Sequence, residues 1–356
     1  MNDILDRPKS RALAFCLLFV PLLADAAGIT GVTGSVSDRS TITISGSGFG
    51  TKPNGAKPFL YWNPGATAST NLDPNSRMTA WEDAPQWGSI LRNQMAPNSV
   101  ASYEVSVATT GSEAIIDGFA FTSDRLYLFN KWRVNFDGQQ AYAQRADWNM
   151  KGWRWWYDDF SHDIVNGFAD NEVNGNPRYY MENTSSGPSY AGMGLPTNAW
   201  MTEEWQMVQG DMDVSNANLK VFQNGKQTVN YADKSRTSGY PSKYNKLFSH
   251  QMERVSGPST WKLWYDIVYV DDSWARVVVS DQPTWNTGAS QGIEIQIPTA
   301  WSDTSITVVL RQGAFSSLAG KYLYVIGTSG QPVSTTGFQL CNDCKQPKPP
   351  SNIQTQ

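Results

Sequence analysis

The sequence predicts an all-β protein. Almost no segment carries apolar residues at helical spacing over ten or more positions. Short β-branched and aromatic runs recur instead, each bounded by Gly, Pro, Asn, Asp or Ser. The 356 residues include 29 Gly and 19 Pro, many of them between those runs, which excludes a helical bundle. Runs spaced in this way belong to antiparallel sandwiches.

Composition narrows the partners. The chain holds 15 Trp, 15 Tyr and 14 Phe, while its 17% of charged residues falls below the ~25% usual for soluble domains. Twenty-eight basic against 32 acidic residues leave a net charge of −4, so there is no electrostatic footprint for nucleic acid. The length suits about two domains of ~100–200 residues.

Residues 1–27 read as an export signal. Arg7, Lys9 and Arg11 precede an apolar run over 12–24, and Ala24-Asp25-Ala26 offers the small residues that a signal peptidase needs. The run is shorter than the ~20 apolar residues of a spanning helix. The expectation is a bacterial protein that is secreted, periplasmic or on the cell surface, with no membrane span after cleavage. Cleavage removes Cys16 and leaves Cys341 and Cys344, whose CNDC spacing suits a local disulfide in an oxidising compartment. A redox motif would sit at a strand-to-helix turn, and zinc would require two more ligands. Residues 341–356 are Pro- and Lys-rich without periodicity and read as an unstructured tail.

The strands can be taken in order. The opening ITGVTGSVSDRSTITISGSGFGTK, which includes STITISGSG, gives two strands and then the strand signal stops. A lone hairpin is marginal in water, so these strands must pair elsewhere. Next come SYEVSVAT, RLYLFNKWRVNF, GWRWWYDD, EWQMVQGDM, LKVFQNGKQTV and KLWYDIVYVDD. Asn224-Gly225 marks a hairpin, because both residues accept the positive φ of a type I′ turn. ARVVVSD, IEIQIP, SITVVLRQG and KYLYVIG close the series.

Ile29, Val32, Ile42, Ile44 and the SGSGFG of 45–50 resemble the beginning of an IPT/TIG domain, an immunoglobulin-like sandwich. The later strands of such a domain resemble 275–340, with a Val-rich strand, an IxIxIP strand, SITVVL and an aromatic last strand. The expectation is therefore a discontinuous sandwich, 28–55 plus 275–340, with residues 56–274 inserted. Insertion at a surface loop is inexpensive because closure entropy grows only logarithmically with length. Two unrelated small modules at the two ends are the alternative.

Within 56–274, RLYLFNKWRVNFD, NMKGWRWWYDD, WMTEE and YDIVYVDDSWARV resemble the concanavalin A-like lectin/glucanase superfamily. The branch is that of heparin-lyase-like polysaccharide lyases. The resemblance implies a jelly-roll sandwich with a groove on one sheet.

Alternation along strands sorts the side chains. Trp153, Trp155 and Tyr157 share one face and Arg154 and Trp156 the other. Thr202, Glu204 and Gln206 form one row; Met201, Glu203, Trp205 and Met207 form the opposite one. His250, Met252 and Arg254 are co-facial. Arg154, Trp156, Glu204, Gln206, His250 and Arg254 form the candidate groove set, the alternative being a solvated outer face. Pyranose rings stack on indoles, and their hydroxyls pair with Arg, Glu and Gln. Uronates would add bidentate contacts to guanidinium groups.

Retaining glycosidases need two carboxylates about 5 Å apart, and no E-x-D-x-E strand supplies them here. A lyase needs a group that neutralises the uronate, a base and an acid. His250 or His162 could be the base, Tyr157 or Tyr244 the acid, with Arg154 and Gln206 as neutralisers. Lyases of this fold place a Gln-x-His strand near a Tyr-rich one. SHQME instead puts the glutamine after the histidine, and SKYNKLF keeps only a faint likeness to the second motif. The resemblance also implies a structural Ca²⁺ at Asp266, near Asp271 and Asp272, the alternative being an Asp-rich strand end. The leading expectation is a polysaccharide-binding protein. A polysaccharide lyase on the same groove and a structural surface or matrix protein are the alternatives.

Overall fold

The computed structural model describes residues 27–64, 71–82, 88–91, 102–107, 113–114, 118–135, 149–157, 163–168, 177–181, 199–249, 251–253 and 261–340. Among them all regular structure is β, in four antiparallel sheets. The expected signal segment, Cys341, Cys344 and the tail lie outside the described residues.

The two ends of the chain meet in one four-stranded sheet. Its order is β1 (Gly28–Gly34), β2 (Thr41–Ser47), β21 (Ser305–Val309) and β20 (Ile297–Trp301). Ile42 lies opposite Val308 and Ile44 opposite Ile306, so the opening hairpin pairs across more than 260 residues of chain. A second four-stranded sheet is ordered β19 (Ile293–Ile295), β18 (Arg276–Ser280), β22 (Tyr322–Ile326) and β23 (Phe338–Gln339). Both sheets share a core that includes Ile42, Ile44, Val277, Val279, Val308 and Val325.

The middle of the chain builds a larger, jelly-roll-like sandwich. Its eight-stranded sheet runs β14 (Lys226–Asp233), β13 (Ala217–Gln223), β12 (Met201–Val208), β8 (Arg125–Asn135), β17 (Trp261–Asp271), β5 (Ser102–Val107) and β4 (Gly88–Leu91). The short β3 (Leu60–Trp62) also pairs with β17. The facing seven-stranded sheet runs β11 (Pro177–Met181), β10 (Asp163–Phe168), β9 (Asn149–Trp156), β15 (Lys246–Phe248) and β7 (Phe119–Ala120). β16 (Gln251–Glu253) joins β9, and β6 (Glu113–Ala114) joins β16. Between the two sheets lie Leu126, Leu128, Trp132, Trp153, Trp155, Trp205 and Leu263, all fully buried.

Three hydrophobic cores thus separate four layers. The third core joins the outer side of the eight-stranded sheet to the β18–β22 sheet, through Tyr127, Phe129, Ile267, Tyr269, Val278, Ile295 and Ile326. β18 accordingly has every residue buried, with Val277 and Val279 facing one core and Val278 the other. Removing apolar area from water on both faces is what holds the small sandwich against the large one.

Two local features set this geometry. Asn224 and Gly225 have φ of 49° and 71°, as the hairpin between β13 and β14 requires. A Cβ on Gly225 would come within 2.6 Å of Gln291 Cγ, so the turn also tucks under the small sandwich. In β17 the register shifts between Tyr265 and Ile267, which makes Asp266 a bulge. Leu263 and Tyr265 face the inner core before it, and Val268 and Val270 after it. The extra residue re-phases the strand, turning Ile267 and Tyr269 toward the small sandwich.

Candidate functional site

The seven-stranded sheet keeps one face that no hydrophobic cluster of described residues joins to another sheet. β9 supplies its centre. Trp153, Trp155 and Tyr157 turn inward, at 0%, 0% and 1% exposure, and this commits Arg154 and Trp156 to the outer face. The Arg154 guanidinium carbon stands 3.8 Å from the centroid of the Trp156 ring, a cation–π contact. β15 sets Phe248 opposite Arg154 and Lys246 opposite Trp156. The Trp156 and Phe248 rings lie 5.6 Å apart, tilted by 47°. Lys246 Nζ is 3.6 Å from a Glu82 carboxylate oxygen. Two cations and two aromatic rings therefore gather on one side of two adjacent strands. Lys246 and Phe248 were not in the sequence-derived set. The alternation around buried Leu247 in NKLF is the signal that could have found them.

The other candidates separate from this patch. Glu204 and Gln206 do share a row of β12, but on the opposite sheet, and they are buried to 1% against the small sandwich. Tyr127 Oη donates to Glu204 Oε2 at 2.7 Å, and Arg276 Nη2 lies 3.4 Å from the same oxygen. With its amide oxygen turned toward the guanidinium, Gln206 accepts from Arg276 Nη2 and Nη1 at 3.0 and 3.2 Å. These polar groups mate two sandwiches rather than line a groove with Arg154. Physically, both rows of β12 are buried, so a mixed polar row did not mean an open one.

Tyr157 and Tyr244 are core residues between the sheets. Their rings stack at 4.6 Å and 20°, and Tyr157 Oη donates to the Ser235 carbonyl at 3.1 Å. Buried on the inner side of the sheet, neither reaches the face that carries Arg154 and Trp156. His162, His250 and Arg254 lie outside the described residues.

Asp266 does not present a calcium-binding donor set. Arg311 Nη2 lies 3.2 Å from Asp266 Oδ2, and Lys131 Nζ lies 4.0 Å from the same oxygen. Lys131 also bonds the Glu294 carboxylate. The neighbouring acids are matched too. Asp271 pairs with Lys52 at 2.5 Å and Arg77 at 3.1 Å, and Asp272 with Arg77 at 2.6 Å. A dication needs several oxygens free of protein cations, and here lysine and arginine already neutralise each carboxylate. No cluster of three or more metal-ligating side chains occurs among the described residues. Sequence reasoning also missed Lys131, Arg276, Glu294 and Arg311, because alternation along a strand does not tell whether a polar face is covered by a second sheet.

Burial shifts several of these groups. It pushes the Asp271 carboxyl up to about 6 in spite of the Lys52 ammonium beside it, and lowers Lys52. It would also lower Arg311, but Tyr61, Asp266 and Glu294 outweigh it and hold that guanidinium above its ordinary value. Burial raises the Tyr127 phenol well above its ordinary value, with Glu204 adding to it and Arg276 opposing.

No protein-family model matches the sequence, and no curated protein matches it. Among solved structures, the alginate lyase Aly36B aligns at a TM-score of 0.41 and 12% identity, over 61% of this chain and 98% of that one. An endo-β-1,4-glucuronan lyase from the fungus Trichoderma reesei aligns at 0.41 and 11%, over 60% and 95%. A carbohydrate esterase of the Shiga toxin-encoding bacteriophage phi24B aligns at 0.37 and 13%, over 61% and 98%.

Proposed function

We propose that this is an exported bacterial protein that binds a polysaccharide along the outer face of its seven-stranded sheet. The observation that carries the reading is the Arg154–Trp156 pair, 3.8 Å apart on that face with Phe248 and Lys246 beside it. Indole and phenyl rings offer stacking surfaces to the C–H faces of pyranose rings. A guanidinium can take a carboxylate bidentately, so Arg154, 7% exposed on this face, would engage a uronate, and Lys246 adds a second cation. Acidic polysaccharides are therefore the preferred partners. Export rests on the basic, apolar and small-residue order of residues 1–27. The small sandwich assembled from the two chain ends would be an IPT/TIG-like platform that carries the larger one.

The test is direct. Alginate, polygalacturonate and polyglucuronate are offered to the full protein and to Trp156→Ala and Arg154→Ala, with retention in affinity electrophoresis as the readout. Retardation by at least one uronate polymer, lost in both variants, supports the reading. Equal retardation of wild type and variants, or none at all, sinks it. Ultraviolet absorbance of a 4,5-unsaturated product would move the protein from binder to lyase.

A further inference from the structure

The outer face of the seven-stranded sheet brings a carboxylate of its own to Lys246. That lysine lies opposite Trp156 on one side and opposite Ala120 on the other, and Ala120 is exposed. β7 ends the sheet path, and an edge strand presents backbone groups that need partners. Glu82 covers this one. Its Oε1 accepts from the Ala120 N–H at 2.9 Å, and its Oε2 stands 3.6 Å from Lys246 Nζ. The preceding residue, Trp81, packs edge-on against Trp62 and Phe119, with ring centroids 5.9 and 6.1 Å away. A core-packed indole and a backbone hydrogen bond therefore hold the carboxylate beside the ammonium.

Both ends of this pair remain open to a ligand. The Lys246 side chain is 30% exposed and that of Glu82 45%. An ion pair this open to water is weak, so another carboxylate can exchange for it. Glu82 nevertheless cancels one of the two positive charges that Arg154 and Lys246 bring to the face. A uronate that reaches Lys246 must displace Glu82 Oε2 or share the ammonium with it, and in either case it meets a like charge close by.

We propose that Glu82 is a displaceable stand-in for the ligand's carboxylate, which holds Lys246 until a polyuronate replaces it and so sets the affinity of the face. The proposal rests on the outer-face reading given above. It adds a specificity-determining residue that lies outside the Arg154–Trp156 pair.

Affinity electrophoresis of the full protein tests it, in gels of alginate, polygalacturonate and polyglucuronate and of the methyl ester of each. Wild type, Glu82→Gln, Lys246→Ala and the double variant are compared. Glutamine keeps an oxygen for the Ala120 N–H, so Glu82→Gln melts at the wild-type temperature. It binds at least one of the acids at least about threefold more tightly than wild type, because one like charge is gone. The gain falls below about twofold on the methyl esters, whose carboxyls carry no charge. It also falls below about twofold when Lys246→Ala is present in both proteins, as the two side chains act on one subsite. Binding by Glu82→Gln where wild type shows none supports both the proposal and the outer-face reading. If neither protein binds any of the acids, both fall together. If wild type binds and Glu82→Gln binds no more tightly, or the esters gain as much as the acids, or the gain survives Lys246→Ala in full, the proposal is overturned and the outer-face reading stands.

Discussion

Arg311, following β21 of the small sandwich, places Nη2 3.2 Å from Oδ2 of Asp266, the bulge residue of β17 in the large one. Its Nη1 donates to Tyr61 Oη at 3.1 Å, while Lys131 and Glu294 bond each other nearby. The interface between the sandwiches thus holds alternating charges beside its apolar core. Ions buried in this way are tolerated only in company, because each pays a desolvation cost that its partner must offset.

Asp266→Ala removes one member and leaves Arg311 buried with less compensation. Unfolding by urea should show a loss of about 3–5 kcal/mol, the range for breaking a buried pair. Because Arg311 and Lys131 already neutralise Asp266, chelator should leave the wild-type melting temperature unchanged, and added Ca²⁺ should not raise it. A calcium-dependent rise would contradict the ion-pair reading.

Glu204→Ala tests the second buried cluster. Arg276 loses its carboxylate partner and Tyr127 its acceptor, so stability should fall by about 3–5 kcal/mol. Polysaccharide retention should stay at the wild-type level under conditions where the variant is folded. Adding Arg276→Met should return part of the loss, since an apolar pair carries no stranded charge.

Tyr157→Phe and Tyr244→Phe should leave any turnover or binding unchanged, because both rings lie in the inner core. Tyr157→Phe gives up the bond to the Ser235 carbonyl and should cost about 1 kcal/mol in denaturation. A large drop in turnover with normal stability would instead place a phenol at the reacting atoms.

Asp271 gives a pH signature. Its folded carboxyl is pushed up to about 6 from an ordinary 3.8, so the folded state holds the proton more tightly than the unfolded chain. Its contribution to stability is therefore fully present below about pH 4 and is lost as pH rises through about 6. Asp271→Asn stays neutral, so the denaturation midpoint of wild type should fall relative to that of the variant as pH rises from 4 to 7. A constant difference across that window would show that the group does not titrate there.

Much of the local structure was legible. The Asn-Gly hairpin, the inward Trp153–Trp155–Tyr157 row and the outward Arg154–Trp156 row all follow from turn chemistry and a two-residue period. The incomplete hairpin at 28–47 declared that it needed a partner, and the strand pattern of 275–340 pointed to the segment that pairs with it. What alternation could not supply was the phase of β17 after its bulge at Asp266. Nor could it tell an outer row from a second buried one, and Glu204 and Gln206 were misplaced for that reason.

By itself, then, the sequence determined that the chain is β throughout its periodic runs, and which residues share a face on each strand. Only the tertiary structure decided what each face meets. The reason is that pleating separates two sides of a strand by a purely local geometric rule. Whether a side meets water, another sheet or an ion pair depends on residues brought in from hundreds of positions away, as Arg276 is for Glu204 and Arg311 for Asp266.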